Sequence, residues 1–407
     1  MKCGLLGRKL GHSYSPQIHA LLGNYSYQLF EKEPEEIGDF LKNGDFTGLN
    51  VTIPYKKEVI PFLDELSPAA ARLGAVNTIV RRDGKLIGHN TDYFGFRRLV
   101  QESGLQVAGK KVLVLGSGGA SSTAVAVLQE LGAKVTVISR SGENNYENLE
   151  RHADAAVIAN TTPVGMYPNT GKSALSLEGF PRLEGVLDAV YNPARTQILL
   201  DAEHRGLAAV NGLWMLVAQA KESAEWFTGE EIPDSRIAKI HHTLRLQMEN
   251  IILIGMPGCG KTAVGQQLAQ KLGKKFVDSD ESLEARVCRK ITDIIPNDGE
   301  AAFREMESET LAELGKQSGL VIATGGGCVT QPQNYPLLHQ NGTIFWLKRE
   351  LDKLPTDGRP LSQKGTLGQM YEARMPLYLR FADAAISNDG SIAETASAIC
   401  RKLEETT

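Results

Sequence analysis

The chain has 407 residues, 42% apolar and 23% charged. At roughly 150 residues per domain this is enough for two or three cores, and the balance excludes wholesale disorder. Lys and Arg number 44 against 48 Asp and Glu, a net charge of −4, without the basic excess that a nucleic-acid binder needs to meet phosphates.

The five cysteines, Cys3, Cys259, Cys288, Cys328 and Cys400, include no CxxC pair, so neither a disulfide framework nor a zinc site is expected. No apolar run approaches the ~18 residues of a membrane span, and the apolar stretch at the N-terminus is too short for a secretory signal. The expectation is a soluble protein of a reducing cytoplasm with small-molecule partners.

In chain order, the first hundred residues hold three polar clusters, each after a strand-like run: GHSYSPQIH (11–19), NVTIPYK (50–56) and GHNTD (88–92). With Asn77 they offer Ser13, Ser15, Thr52, Lys56, Asn90 and Asp92, a set suited to a hydroxylated, anionic substrate. Hydride delivery to a ketone needs a proton donor at the oxygen, which makes Lys56 and Asp92 a candidate pair. Spacing alone leaves open whether they meet or remain exposed loop charges.

Next come β-branched runs at 111–115, 134–139 and 185–190, the pattern of buried parallel strands separated by helices. The first runs into Gly116, Gly118, Gly119 and Ala120, with a helix expected from about Ser121 to Leu131. Such a loop lets backbone amides approach a pyrophosphate at a helix N-terminus. The second strand ends Ser139-Arg140-Ser141, without the carboxylate that would hold an NAD ribose. An arginine between two hydroxyls suits a 2′-phosphate, hence NADP.

Leu213–Phe227 and Ser235–Leu246 read as amphipathic helices, the second carrying His241 and His242 as solvated residues. A domain boundary is expected near Leu246–Glu249, with no Gly/Ser or Pro tether. Across these segments, residues 1 to about 246 resemble shikimate dehydrogenase. The motifs are GHSYSP, NVTIPYK, GAVNT, NTD, GSGGAS, NTTPVGM (160–166), DAVYNP (188–193) and GLWMLVAQA (212–220). The resemblance implies that Ser13 and Ser15 bind the substrate carboxylate. It assigns Thr52, Asn77, Asn90, Tyr191 and Gln219 to ring hydroxyls and makes Lys56 and Asp92 the catalytic pair. Tyr93 stands where the family has Gly, and Trp214 where a small residue is usual near the nicotinamide.

A fresh strand at 250–255 leads into Gly255-Met-Pro-Gly258-Cys259-Gly260-Lys261-Thr262, a full G-x-x-x-x-G-K-[ST] loop. Its amides cradle phosphates, Lys261 reaches the β and γ groups, and Thr262 ligates magnesium. Downstream strands are expected at 319–324 and 343–347. Asp278 could reach magnesium through water, Asp280 could accept a hydroxyl proton, and Arg304 and Arg374 could grip a carboxylate. With the F-R-x-x-E of Phe303 to Glu307, the glycines 325–327 and R-x-P-L-Y, residues 250–407 resemble shikimate kinase. That resemblance implies that Asp280, Arg304, Gly326, Gly327 and Arg374 bind shikimate and that Arg359 is a lid arginine facing ATP.

The fold expectation is α/β. A substrate domain (about 1–100 and 212–246) and a Rossmann-like NADP-binding domain (about 101–211) precede a P-loop domain with a parallel sheet (247–407). The two resemblances name consecutive steps: NADPH-dependent reduction of 3-dehydroshikimate, then MgATP-dependent phosphorylation of shikimate. The rivals are a quinate or aminoshikimate dehydrogenase fused to another small-molecule kinase, or one half acting as a ligand sensor. The complete Lys56–Asp92 and Lys261–Thr262–Asp280 sets speak against a sensor.

Overall fold

The structure is a computed structural model that describes residues 1–11, 13–354 and 364–405, the side chains of 364–366 excepted. The chain forms two compact units, residues 1–166, 172–191 and 198–243, and residues 167–171, 192–197 and 244–407. No helix among the described residues is long and apolar enough to cross a membrane.

The first unit holds two sheets. In its substrate lobe the strands are β1 (Lys2–Gly7), β2 (Ser26–Glu31), β3 (Gly48–Val51), β4 (Glu65–Leu66), β5 (Thr78–Arg82) and β6 (Lys85–His89), with helices α1 (Ser15–Leu22), α2 (Ile37–Asn43) and α3 (Pro68–Leu73). The order is β2-β1-β3-β5-β6-β4. β1 runs parallel to β2 and β3, whereas β5 is antiparallel to β3 and β6. Leu6, Leu41, Leu49, Val51, Tyr55 and Ile79 fill its core. The carboxyl ends of β3 and β6 open into the lysine loop and the NTD segment.

Helix α4 (Asp92–Glu102) leads into the cofactor lobe. There β7 (Lys111–Leu115), α5 (Gly119–Glu130), β8 (Lys134–Ile138), β9 (Val157–Asn160), β10 (Gly185–Asp188), α6 (Gln197–His204) and β11 (Ala208–Val210) build a second sheet. All its pairings are parallel and its order is β11-β10-β9-β7-β8. Side chains alternate across a strand. Val112 and Val114 accordingly pack with Phe96 of α4 and Val127 of α5, while Leu113 and Leu115 pack with Ile198 and Leu199 of α6. A β-branched run is thereby buried on both faces, the reason it carries no polar alternation. The chain then returns to the substrate lobe through α7 (Leu213–Thr228), which packs on α1 and α4, and continues into α8 (Ser235–Met248).

The second unit contains β12 (Asn250–Ile254), α9 (Lys261–Leu272), β13 (Lys275–Asp278), α10 (Ser279–Val287), α11 (Ile291–Lys316), β14 (Leu320–Ala323), α12 (Asn334–His339), β15 (Gly342–Lys348), α13 (Lys364–Phe381), β16 (Ala384–Ser387) and α14 (Ile392–Glu405). Its sheet is parallel throughout, ordered β13-β14-β12-β15-β16. Helix α11 is broken by Gly299, which has φ 88°. The expected strand cores match the observed ones, and α5 begins two residues ahead of the expected Ser121. The short strands β9, β11 and β16 carried too little pattern to be placed from sequence. Arg359 lies outside the described residues.

Candidate active sites

In the substrate lobe the structure brings Lys56 and Asp92 together. Lys56 Nζ donates to Asp92 Oδ2 at 2.5 Å, with the side chains 28% and 13% exposed. Asp92 is the first residue of α4, where a carboxylate complements the positive helix end. Tyr93 anchors the same turn: its hydroxyl bonds Glu130 at the end of α5, and Arg97 pairs with that carboxylate at 2.8 Å.

Ser13 Oγ accepts from the Ser15 N–H at 3.2 Å. Ser15 opens α1, whose first amides receive no side-chain cap from Tyr14; an anion is a natural partner for such a helix end. The Tyr14 ring meets Tyr191 edge-on at 6.1 Å, and burial pushes the Tyr191 hydroxyl above its usual range. Thr52, just past β3, is held through its N–H on Leu6 O at 2.9 Å. Asn77 is buried, and its Oδ1 accepts from the Thr91 N–H at 2.7 Å while Nδ2 donates to Thr91 Oγ1 at 3.0 Å. Thr91 Oγ1 in turn reaches Gln219 Oε1 at 3.5 Å. Asn90 stands apart from this set: its Nδ2 donates to Ala75 O at 2.9 Å, and its buried Oδ1 has no partner among the described residues.

Sequence reasoning passed over several members of this network. Asn50 and Thr78 are buried beside Asn77, and Tyr27 donates to Asn50 Oδ1 at 2.7 Å. Ser223 of α7 bonds Asn50, Thr78 and Thr91. Asn50, Thr78 and Thr91 lie inside the quoted motifs, and Ser223 follows Gln219 by one helical turn. That spacing was the available signal.

In the cofactor lobe, Gly116 follows β7 with φ 107°, and a Cβ there would stand 3.1 Å from Thr162 Cγ2. The sheet order reverses between β7 and β9, so this loop lies at the topological switch point, where such folds bind ligands. Gly118 and Gly119 face open space, and Gly118 gives α5 no side-chain cap. Ala120 is the second residue of α5. Gly116 N donates to Ile138 O at 2.8 Å, which sets Ser139, Arg140 and Ser141 beside the loop. Arg140 and Ser141 are exposed. Uncapped amides flanked by an exposed guanidinium fit a dinucleotide bearing an extra phosphate.

Two expectations about α8 are corrected. His241 is not a solvated helix residue, because the Trp214 ring stacks on it at 3.7 Å and 9°. His242 is half-buried. The apolar face of a flat ring covers an imidazole as readily as it would an aliphatic chain.

In the second unit the glycine loop wraps its own lysine. Lys261, 8% exposed, donates to Gly255 O at 2.9 Å and Met256 O at 3.1 Å. Gly258 and Gly260 have φ 81° and 99°, and Asn388 Nδ2 donates to Cys259 O at 2.6 Å, pinning the loop. The Cys259 thiol is buried. Thr262 donates to Asp278 Oδ2 at 3.0 Å, and Asp278 Oδ1 accepts from the Asp280 N–H at 3.0 Å. A hydroxyl backed by carboxylates is a donor set for a hard cation. Among the described residues no group of three or more His, Cys, Asp or Glu converges as a cage, as expected where phosphates and water complete the coordination.

Burial, with Asp278 and Glu307 nearby, pushes the Asp280 carboxyl up to about 6. Arg304 pairs with buried Glu307 at 2.8 Å and with Glu300 at 3.1 Å. A Cβ on Gly325 would stand 2.7 Å from Glu307 Oε1 and 2.8 Å from Asp280 Oδ1, and one on Gly327 would collide with the Arg304 guanidinium. The triple glycine therefore lets the main chain lie against Asp280, Glu307 and Arg304. Arg374 Nη1 and the Tyr378 hydroxyl donate to Gly326 O at 3.2 and 2.6 Å, so α13 meets the same strand end. Asp280, Arg304, Gly326, Gly327 and Arg374 thus converge. Glu307, noted in sequence only as part of a motif, proves to be the buried counter-charge that holds Arg304.

Residues 5–79 match the family model for the shikimate dehydrogenase substrate binding domain, and residues 257–404 match that for shikimate kinase. The shikimate dehydrogenase (NADP(+)) of Clostridium perfringens (strain SM101 / Type A) is 38% identical over 264 residues, covering 60% of this chain and 97% of its own length. Shikimate dehydrogenase 1 from Peptoclostridium difficile is 38% identical with a TM-score of 0.55, covering 60% of this chain and 98% of that one. Shikimate 5-dehydrogenase from Thermus thermophilus, solved with NADP(H) and shikimate, is 30% identical with a TM-score of 0.54 and covers 60% and 99%.

Proposed function

This chain belongs to the shikimate dehydrogenase family and carries a shikimate kinase domain after it, and on that premise we propose how its residues divide two consecutive reactions. The first part reduces 3-dehydroshikimate to shikimate with NADPH. The second transfers a phosphoryl group from ATP to shikimate. We place the functional boundary near residue 246.

In the reduction, Ser13 and Ser15 hold the substrate carboxylate beside the uncapped start of α1. Thr52, Asn77, Asn90, Tyr191 and Gln219 are assigned to the ring oxygens. NADPH supplies the hydride when bound, with the amides of Gly118, Gly119 and Ala120 facing its pyrophosphate and Arg140, Ser139 and Ser141 its 2′-phosphate. Lys56 gives a proton to the substrate oxygen as the carbonyl becomes a hydroxyl, and Asp92, 2.5 Å away, keeps the ammonium aimed at that oxygen.

In the phosphorylation, Arg304 and Arg374 hold the shikimate carboxylate, and Gly326 and Gly327 shape its seat. Asp280 accepts the proton of the attacking hydroxyl. The amides of Gly258, Cys259 and Gly260 with the Lys261 ammonium neutralise the transferring phosphates. Thr262 and Asp278 would hold a magnesium ion, which would supply charge neutralisation at those phosphates. Arg359 is assigned to the lid over ATP. The free thiols suit a reducing cytoplasm.

The observation that supports this reading is that each unit brings together its own candidate residues, the Lys56–Asp92 pair in the first and the Lys261–Thr262–Asp278 loop with Asp280 in the second. Shikimate should therefore reduce NADP+ and, separately, consume ATP with one preparation. Turnover of only one would remove the other assignment.

A further inference from the structure

Ser223 has no access to solvent, and among the described residues assigned to a ligand it hydrogen-bonds only to the Gln219 main chain. Its hydroxyl nevertheless has four polar neighbours. A hydroxyl has one proton and two lone pairs. The Gln219 carbonyl, at 2.9 Å, can only accept, so it takes the Ser223 proton. Asn50 Nδ2, at 2.8 Å, can only donate, so it fills one lone pair. One lone pair remains for two hydroxyls, Thr78 at 2.8 Å and Thr91 at 2.9 Å.

That shortage has a consequence for the amides around the substrate. The Thr91 N–H donates to Asn77 Oδ1, which fixes which end of the Asn77 amide is oxygen. If Thr78 donates to Ser223, the Thr91 proton is left for Asn77 Oδ1 at 3.2 Å, Thr78 Oγ1 at 3.3 Å or Gln219 Oε1 at 3.5 Å. If Thr91 donates instead, the Thr78 proton is left for Asn77 Oδ1 at 3.2 Å or Thr91 Oγ1 at 3.3 Å. One buried acceptor therefore governs which threonine proton is left over for Asn77, and only the Thr91 proton can reach Gln219. Nδ2 of Asn77 spends one N–H on Thr91, and Nε2 of Gln219 spends one on Leu216 O. Each amide thus keeps one N–H for a ligand.

We propose that Ser223 is a positioning residue of the dehydrogenase site: its hydroxyl orders the protons of Thr78 and Thr91 and thereby holds the Asn77 and Gln219 amides for the substrate hydroxyls. This rests on the assignment of Asn77 and Gln219 to substrate made above. Without the Ser223 hydroxyl, both threonine protons turn to Asn77 Oδ1 or to the other threonine's oxygen, and Asn50 Nδ2 falls back on weaker contacts with Thr78 Oγ1 at 3.2 Å and Asn77 O at 3.4 Å. Low-dielectric hydrogen-bond networks lose more than one bond's worth when a member is removed.

The test is a double-mutant cycle on the full chain, read as shikimate oxidation with NADP+. Ser223→Ala should raise the KM for shikimate about tenfold, leaving the KM for NADP+ and the kinase rate within about twofold. Ser223→Cys keeps the volume but hydrogen-bonds weakly, so it should resemble Ala rather than Ser. In the double variant with Asn77→Ala, Ser223→Ala should add less than about twofold, because both changes act through one network. An unchanged KM in Ser223→Ala, a wild-type-like Ser223→Cys, or effects that multiply in the double variant would each overturn the proposal. An unchanged KM in Asn77→Ala alone would overturn instead the assignment of Asn77.

Discussion

Lys56 Nζ and Asp92 Oδ2 lie 2.5 Å apart although 36 positions separate them in sequence. The loop after β3 and the start of α4 converge because β5 and β6 lie beside β3 in one sheet, so that the carboxyl ends of β3 and β6 share a rim. In the proposed reduction the pair serves one chemical step. Lys56→Ala should lower hydride transfer about 10²- to 10⁴-fold, the usual worth of a positioned proton donor, and leave phosphoryl transfer unchanged. Parallel assays on one preparation decide it, and loss of both activities would mean that the lysine matters for folding.

Arg140 stands where a carboxylate would select NAD. NADPH should be preferred over NADH by about tenfold or more in kcat/KM, equivalent to about 1.4 kcal/mol. Arg140→Asp should weaken NADPH most, since its carboxylate repels the 2′-phosphate. Steady-state kinetics with both cofactors check this. Equal preference in the unmodified protein would show that Arg140 does not face the ribose.

Much of this was legible before any coordinates. The glycine loops, the P-loop lysine and the strands at 111–115 and 250–254 announce themselves, because a buried parallel strand followed by glycines has few other readings. The network around Ser223 was not legible. Its serine and threonines look like ordinary helix and strand residues, and only tertiary pairing between α7 and the β3–β5 edge brings them within hydrogen-bond distance. The Trp214 partner was not legible either: its ring stacks on His241, 27 positions later in the chain. Glu307 was legible as a motif member but not as the buried anion that orients Arg304.

Asp280 should set the acid limb of the kinase. Its carboxyl is pushed up to about 6 in the protein without substrates, chiefly by burial. The proton-accepting form is the anion, so kcat/KM for shikimate should fall as pH drops through about 6 and level off above it. Asp280→Asn should remove that limb along with most of the rate. A pH profile flat from 7 to 5 would show that Asp280 does not act as the base.

His19 and His89 give the first unit a pH-dependent stability. Both are buried, and desolvation pushes them down to about 3 and about 4. In the unfolded chain each takes up a proton near its ordinary value of about 6.5. Between those values the unfolded state binds more protons, so stability is full above about 6.5 and declines as pH falls. The slope approaches about 1.4 kcal/mol per pH unit for each histidine. Denaturant midpoints for loss of dehydrogenase activity, taken from pH 7 to pH 5, should fall steadily, and a constant midpoint would show that these imidazoles are protonated in the fold.

The central claim is that one chain performs two consecutive reactions at two separate sites. It is tested most directly by supplying 3-dehydroshikimate, NADPH and MgATP to the purified protein and identifying the products by mass. Shikimate 3-phosphate should form, with one NADPH oxidised and one ATP consumed per molecule. Lys261→Ala should stop the sequence at shikimate. Accumulation of shikimate in the unmodified protein, or a phosphorylated product formed without NADPH, would contradict it.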